Sequence, residues 1–353
     1  MTDINNHMQE KINESLIGWL REISLSNSHV WRQINNDYEL RSKLRDKCRQ
    51  LGDQAYSYQN MNALDELHKS LAFIYDHDFS SATIENIDID KLPIFRDIAS
   101  VLEESMLGYE RSHISTVEIE SYPEDGDEYV KWLKKVISDH ESSVHPLYSH
   151  YMLETASVSD LALFLAQETS IGSRFDDILA LMQIGTQGSE KMEIANKYYE
   201  EMGNGHSEEV HSALFAQALK ALNIDEKYIS DNMLLDSVVA GNLSSCLSLS
   251  RRHYYKSVGY FGVKEYLAPR RFEYVVAALK RNNLSPESAA YHKLNMAIDA
   301  AHADGWLNNI IAPLVNQSPE IGREIALGAM IMLNSSERYL DSLSSLFASK
   351  EAA

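Results

Sequence analysis

Residues 286–311 read PESAAYHKLNMAIDAAHADGWLNNII, and the spacing within them decides the fold. His292, Asn295, Asp299, His302 and Trp306 follow one another at steps of three, four, three and four. On a helix these five positions share one face, stacked turn by turn. Asp-x-x-His sets a carboxylate and an imidazole one turn apart, close enough to bind a single ion. Helical bundles build diiron and dimanganese sites from such pairs on several facing helices. Oxygen-and-nitrogen donors of this kind suit iron or manganese, whereas a tetrahedral zinc site asks for more Cys or His. One D-x-x-H arises by chance in many helical proteins, so its weight depends on what the other helices carry.

Upstream, the stripe Leu161, Leu165, Glu168, Phe175, Ile178, Leu179 and Met182 puts Glu168 on an apolar face. A carboxylate there must be paired, protonated or metal-bound, because burying it alone costs too much. The competing reading ends this helix near Thr169 and leaves Glu168 wet. Glu201 stands ten residues before His211 in YYEEMGNGHSEEVHSALF, and His211 shares a stripe with Leu214, Phe215, Ala218 and Leu219. Glu265 lies in GYFGVKEYLAPRRFEYVVAALKR, where Pro269 and Arg270-Arg271 read as the start of a further helix. Gly185, Gly203, Gly205 and Asn223 punctuate these runs as helix ends.

Further out, the 353 residues carry 32 Lys+Arg against 52 Asp+Glu, a net charge of −20. Such a balance argues against nucleic acid, whose phosphates need clustered cations, and against an anionic membrane surface. Fifteen Gly and seven Pro are few for a turn-rich β protein, so the expected class is all-α. Two cysteines, Cys48 and Cys246, make no disulfide framework and point to a reducing cytoplasm. No signal-peptide pattern opens the chain. The longest apolar stretches, such as Leu327–Leu333, fall far short of a membrane span. The acidic stretch Glu120–Glu128, ESYPEDGDE, reads as a seam. It separates a helical accessory or dimerisation domain, 1–128, from a second helical domain, 129–353. In the first, Ile12, Leu16, Trp19, Leu20 and Ile23 show the helical period, and nothing converges on chemistry.

Taken together, FLAQETSIGSRFDDILALMQIG, YYEEMGNGHSEEVHSALFAQALKALN, GVKEYLAPRRFEYVVAALKR and YHKLNMAIDAAHADGW resemble the heme-oxygenase-like diiron oxidases, the iron-containing redox enzymes. The resemblance spans roughly residues 144–306. It implies a seven-helix, heme-oxygenase-like bundle that binds non-heme iron, with Glu168, Glu201, His211, Glu265, Asp299 and His302 as ligands. The family pattern H-x3-D-x2-H has Asn295 at its first position here. Asn295 offers an amide oxygen, and His292 lies one turn, about 5 Å, further along the same face. Both are therefore candidates. Members react O2 at two Fe(II) ions, with an external electron donor where the reaction needs one. Their reactions are N-oxygenation, desaturation or C–C cleavage of small molecules that carry a carboxylate, an amine or both. The implied function is an oxidase or oxygenase of specialised metabolism acting on an amino-acid-like or amine substrate, as a cytoplasmic homodimer.

Arg251, Arg252, Arg270 and Arg271 are candidates to hold a substrate carboxylate, because Arg pairs with it bidentately. Tyr291 is a candidate for the pocket wall. Two further readings use the same fold. One is a metal-free, thiaminase-like enzyme with Cys246 as nucleophile. The other is a non-enzymatic binding protein with a relic of the iron site.

Overall fold

A computed structural model describes residues 11–12, 14–172 and 174–351, with the side chains of 85, 118, 297–302 and 351 outside that description. Among the described residues the chain is helical, without a strand. Its contacts group it into two compact units, Met1–His113 and Ile114–Ala353.

The first unit holds α1 (Leu16–Ser24), α2 (Ser28–Asn36), α3 (Tyr38–Gly52), α4 (Met61–Asp78) and α5 (Leu92–Ser112). Its helices start where side chains accept from the first free N–H groups: Ser15, Asn27, Asp37 and Asn60 cap α1 to α4. The periodic apolar residues Leu16, Trp19, Leu20 and Ile23 are buried, as their spacing predicts. His68 bonds the Tyr56 hydroxyl at 2.9 Å, the role of a satisfied structural histidine.

The second unit runs through α6 (Thr116–Glu120), α7 (Gly126–Asp139), α8 (Val158–Gly172), α9 (Phe175–Met182), α10 (Gly188–Glu201) and α11 (His211–Ala221). It continues with α12 (Glu226–Asn232), α13 (Leu235–Leu249), α14 (Tyr254–Arg281), α15 (Pro286–Gly305), α16 (Ala312–Gln317) and α17 (Ile321–Glu351). The stretch Glu120–Glu128 lies inside this unit, not at its border. Asp125 caps α7, and the hydroxyl of buried Tyr129 donates to the Gly322 carbonyl at 2.6 Å. Burial of Tyr129 ties the acidic turn to the bundle, which the charge of the turn does not reveal.

α14 is the spine of the unit, packed on α15, α17 and the π-helical segment Leu147–Thr155. It passes through Pro269 without ending, so the break expected there does not occur. The packing around it outweighs the roughly 3 kcal/mol that an interior proline costs. α14 and α17 approach backbone to backbone. A Cβ on Gly259 would lie 1.9 Å from the Ile325 carbonyl oxygen, and one on Gly328 would lie 1.9 Å from that of Lys256. The core joins Phe164, Leu165, Val275, Leu279, Leu340 and Phe347 from α8, α14 and α17. Each such side chain contributes about 1.5–3 kcal/mol on burial. Among the described residues no helix is long and apolar enough to cross a membrane.

Candidate metal centre

The turn between α10 and α11 brings two expected ligands together. Gly203 and Gly205 take φ of 64° and 89°, and Asn204 takes 52°. A Cβ on Gly203 would lie 2.7 Å from the Glu209 carbonyl carbon, so only glycine lets the chain fold back so tightly. Glu201 at the end of α10 and His211 at the start of α11 therefore meet, although ten residues separate them. His211 Nδ1 stands 2.7 Å from Glu201 Oε2, and both residues are buried. Yet no described residue meets either ring nitrogen at hydrogen-bonding angles. A buried carboxylate and imidazole at this distance form an ion-pair contact, and both are residue types that ligate iron.

The pocket they line also holds Glu168, Asp176, Phe215 and Tyr291. α8 runs on to Gly172, so Glu168 is not a frayed end. Its Oε1 accepts from the Tyr339 hydroxyl at 3.1 Å. Burial raises the Glu168 carboxyl above the ordinary range, and Lys264, Tyr339 and Arg271 pull it part of the way back. Tyr291 stands edge-on to His211 (6.3 Å, 90°) and beside Phe215 (5.0 Å). It walls the pocket that Glu201 and His211 line. The sequence did not mark Asp176 as part of this pocket.

The remaining expected ligands fare differently. Asp299 and His302 lie outside the described residues. Glu265, expected as a ligand, is salt-bridged to the Lys197 ammonium in a buried pair. Its charge is compensated by a protein cation, one that the spacing around Glu265 does not announce. Lys197 sits one turn before Glu201 on α10, with its ammonium 5.5 Å from the centre of the Trp306 ring. Asn295 is buried and turns its amide nitrogen to the Tyr291 carbonyl at 2.9 Å. His292 is buried between Phe272 and Tyr291, with ring centroids 5.2 and 5.0 Å away, and its Nδ1 has no described hydrogen-bond partner.

Burial lowers the His292 imidazole to about 3. Unfolded, the same ring takes a proton near 6.5. Between those values the unfolded chain binds the extra proton, so stability falls as pH drops below about 6.5. His292→Leu should flatten this acid limb by about 2 kcal/mol between pH 6.5 and 5. Urea denaturation at the two pH values tests this. An unchanged pH dependence would show that His292 is not held neutral.

A second, larger pocket meets the first at Glu168. It encloses about 610 Å³ of empty space, open solvent at its mouth included. One face of α14 supplies Lys264, Ala268, Arg271, Phe272 and Val275, and one face of α17 supplies Met332, Ser335, Ser336 and Tyr339. Of the four arginines marked in the sequence, Arg271 alone lines it. Arg251 and Arg252 are exposed: the first bonds the Leu181 carbonyl at 3.2 Å and the second contacts His253 at 3.2 Å. Arg270 lines a neighbouring pocket beside His145 that shares Tyr148 and Arg271 with this one. Lys264 and Tyr148 were not marked, since nothing local sets them apart. Cys246 is fully buried in α13 and lines none of these pockets, so the thiaminase-like reading finds no accessible thiol.

Among the described residues no three His, Cys, Asp or Glu side chains stand close enough together to hold one ion. The Glu201–His211 pair nevertheless fits a metal by its chemistry: a buried carboxylate and a buried imidazole at contact distance. No curated protein matches the chain. Residues 162–337, which include Glu168, Glu201, His211, Glu265, Asp299 and His302, match the profile of the family described as iron-containing redox enzyme. By that match and its all-α, heme-oxygenase-like fold, the chain belongs to the iron-containing redox enzymes.

Proposed function

We propose that the chain is an O2-dependent non-heme iron oxidase or oxygenase with a two-iron centre, acting on a small organic substrate in specialised metabolism. The observation that carries this reading is the Glu201–His211 approach in a pocket shared with Glu168. Glu201, His211 and Glu168 would hold iron, joined by Asp299 and His302 through the resemblance. Bound Fe(II) supplies electrons and a binding position for O2.

The chain's own residues do the rest. Carboxylates neutralise the metal's charge, and the imidazole fixes its geometry. Phe215 and Trp306, both buried, keep water from the centre. The Tyr339 hydroxyl orients Glu168 from the side of the larger pocket.

The test is iron per chain after anaerobic Fe(II) loading, followed by O2 uptake in an oxygen electrode. Two irons with iron-dependent O2 uptake is the expected result. One iron with O2 uptake would replace the two-iron centre by a single one. No retained iron would overturn the reading.

A further inference from the structure

α10 is attached to the bundle differently from its neighbours. α8 buries Leu161, Leu163, Phe164 and Leu165. Of the 14 residues of α10, all of them described, Ile194 is the one buried apolar side chain, and the other buried positions are Lys197 and Glu201. Met192 and Tyr199 face solvent. Polar side chains tie the helix down. Glu190 accepts from the Tyr254 hydroxyl at the start of α14. Glu193 Oε2 accepts from Asn309 Nδ2 at 2.8 Å. The Lys197 ammonium meets Glu265 on α14, and Glu201 meets His211 on α11.

Both ends of α10 are glycine joints. Before it, Gly185 and Gly188 take φ of 83° and 59°. A Cβ on Gly188 would meet nothing within 4 Å, and one on Gly185 would meet the Arg251 guanidinium at 4.0 Å, so this joint has space around it. After it comes the reversal at Gly203, Asn204 and Gly205. A few such residues can absorb the backbone change of a moving element. The attachment between the joints is of a kind that yields. An apolar side chain that leaves the core forfeits its whole hydrophobic contribution. Carboxylates, a hydroxyl and an amide instead exchange protein partners for water, at a small net cost. An ion pair that separates into water regains the solvation that burial denied both charges. α10 therefore costs less to release than α8 or α14.

We propose that α10 is a hinged arm that carries Glu201 into and out of the pocket shared with Glu168 and His211. Residues 188–201 leave the bundle as a unit while α8, α14 and α17 stay folded, and the Lys197–Glu265 pair is the latch that returns them. The arm stands on its own geometry. Its closure by a divalent cation rests on the iron reading, because an ion held by Glu201 and His211 together binds only the closed state.

The test is hydrogen–deuterium exchange of the full chain, read by mass spectrometry in a series of low urea concentrations, without metal and with saturating Mn(II). In metal-free protein the amides of 192–201 are expected to exchange at one common rate, at least about tenfold faster than those of α14. That rate should barely depend on urea, since the opening exposes little surface. Lys197→Met should speed it by about a hundredfold or more, and Tyr254→Phe, which removes one hydroxyl, by about two- to tenfold. Lys131→Met, which breaks an exposed pair with Glu128 on α7, should leave it unchanged. If Lys197→Met fails to fold, Tyr254→Phe carries the test. Mn(II) at a hundredfold excess over Kd should slow α10 by about a hundredfold. Exchange of α10 together with α14 at the same urea dependence, a gradient of rates from one end as fraying gives, or rates indifferent to the variants would overturn the arm. A common fast rate with the expected variant pattern that Mn(II) does not slow would uphold the arm and overturn the iron reading alone.

Discussion

His211→Ala is expected to abolish iron retention, on top of the cost to the metal-free fold of leaving buried Glu201 without its imidazole contact. His211 is buried at the first turn of α11, and neither ring nitrogen is engaged in a described hydrogen bond. Its loss removes a ligand of the proposed centre, so the metal-dependent part of the stability should go with it.

Saturating metal adds about 2.7 kcal/mol at a hundredfold excess over Kd. Wild type should therefore melt several degrees higher with Mn(II) or Fe(II), and His211→Ala should not. Residues that merely support a ligand change metal affinity by about 10–100-fold. Losing the ligand itself should exceed that range. Iron analysis and melting curves with and without metal decide the matter. A variant that keeps wild-type iron affinity would remove His211 from the centre and leave the Glu201 contact a plain ion pair.

Lys197→Met should destabilise the second unit strongly. Lys197 and Glu265 are both buried, and they join α10 to the spine helix α14. Removing the ammonium breaks a buried ion pair, at about 3–5 kcal/mol. For a unit of this size that is a fall of roughly 10 °C in Tm. The double variant Lys197→Met with Glu265→Leu should recover most of the loss, because an apolar pair no longer carries an unpaired charge. Glu265→Gln should leave iron affinity close to wild type. The opposite outcome, loss of iron in Glu265→Gln with little change in Tm for Lys197→Met, would return Glu265 to the ligand set.

The Glu201–His211 contact and the pocket beside Glu168 differ in how far local sequence reveals them. Glu201, His211 and the glycines between them are a local arrangement. Gly203 permits the reversal, and ten residues of chain bring donor to donor. Glu168 was recognisable as out of place because its stripe is otherwise apolar. Lys197 and Glu265, by contrast, are separated by 68 residues of chain. Nothing near either one names the other. Arg270 and Arg271 are chemically identical in the sequence, yet only the second faces the pocket. Pro269 looked like a boundary, and the packing of α14 on α15 and α17 carried the helix through it.

The residue pattern alone determined the all-α class, the amphipathic faces, the glycine-marked helix ends and the family. These follow from the 3.6-residue period and backbone stereochemistry, which act over a few residues. The tertiary structure alone decided which cation meets which carboxylate, which arginine points inward and where the two pockets join at Glu168. Those outcomes depend on the rotation and axial register of one helix against another. They are set by the packing of the whole bundle and by contacts such as Gly259 on Ile325 that bring α14 and α17 together.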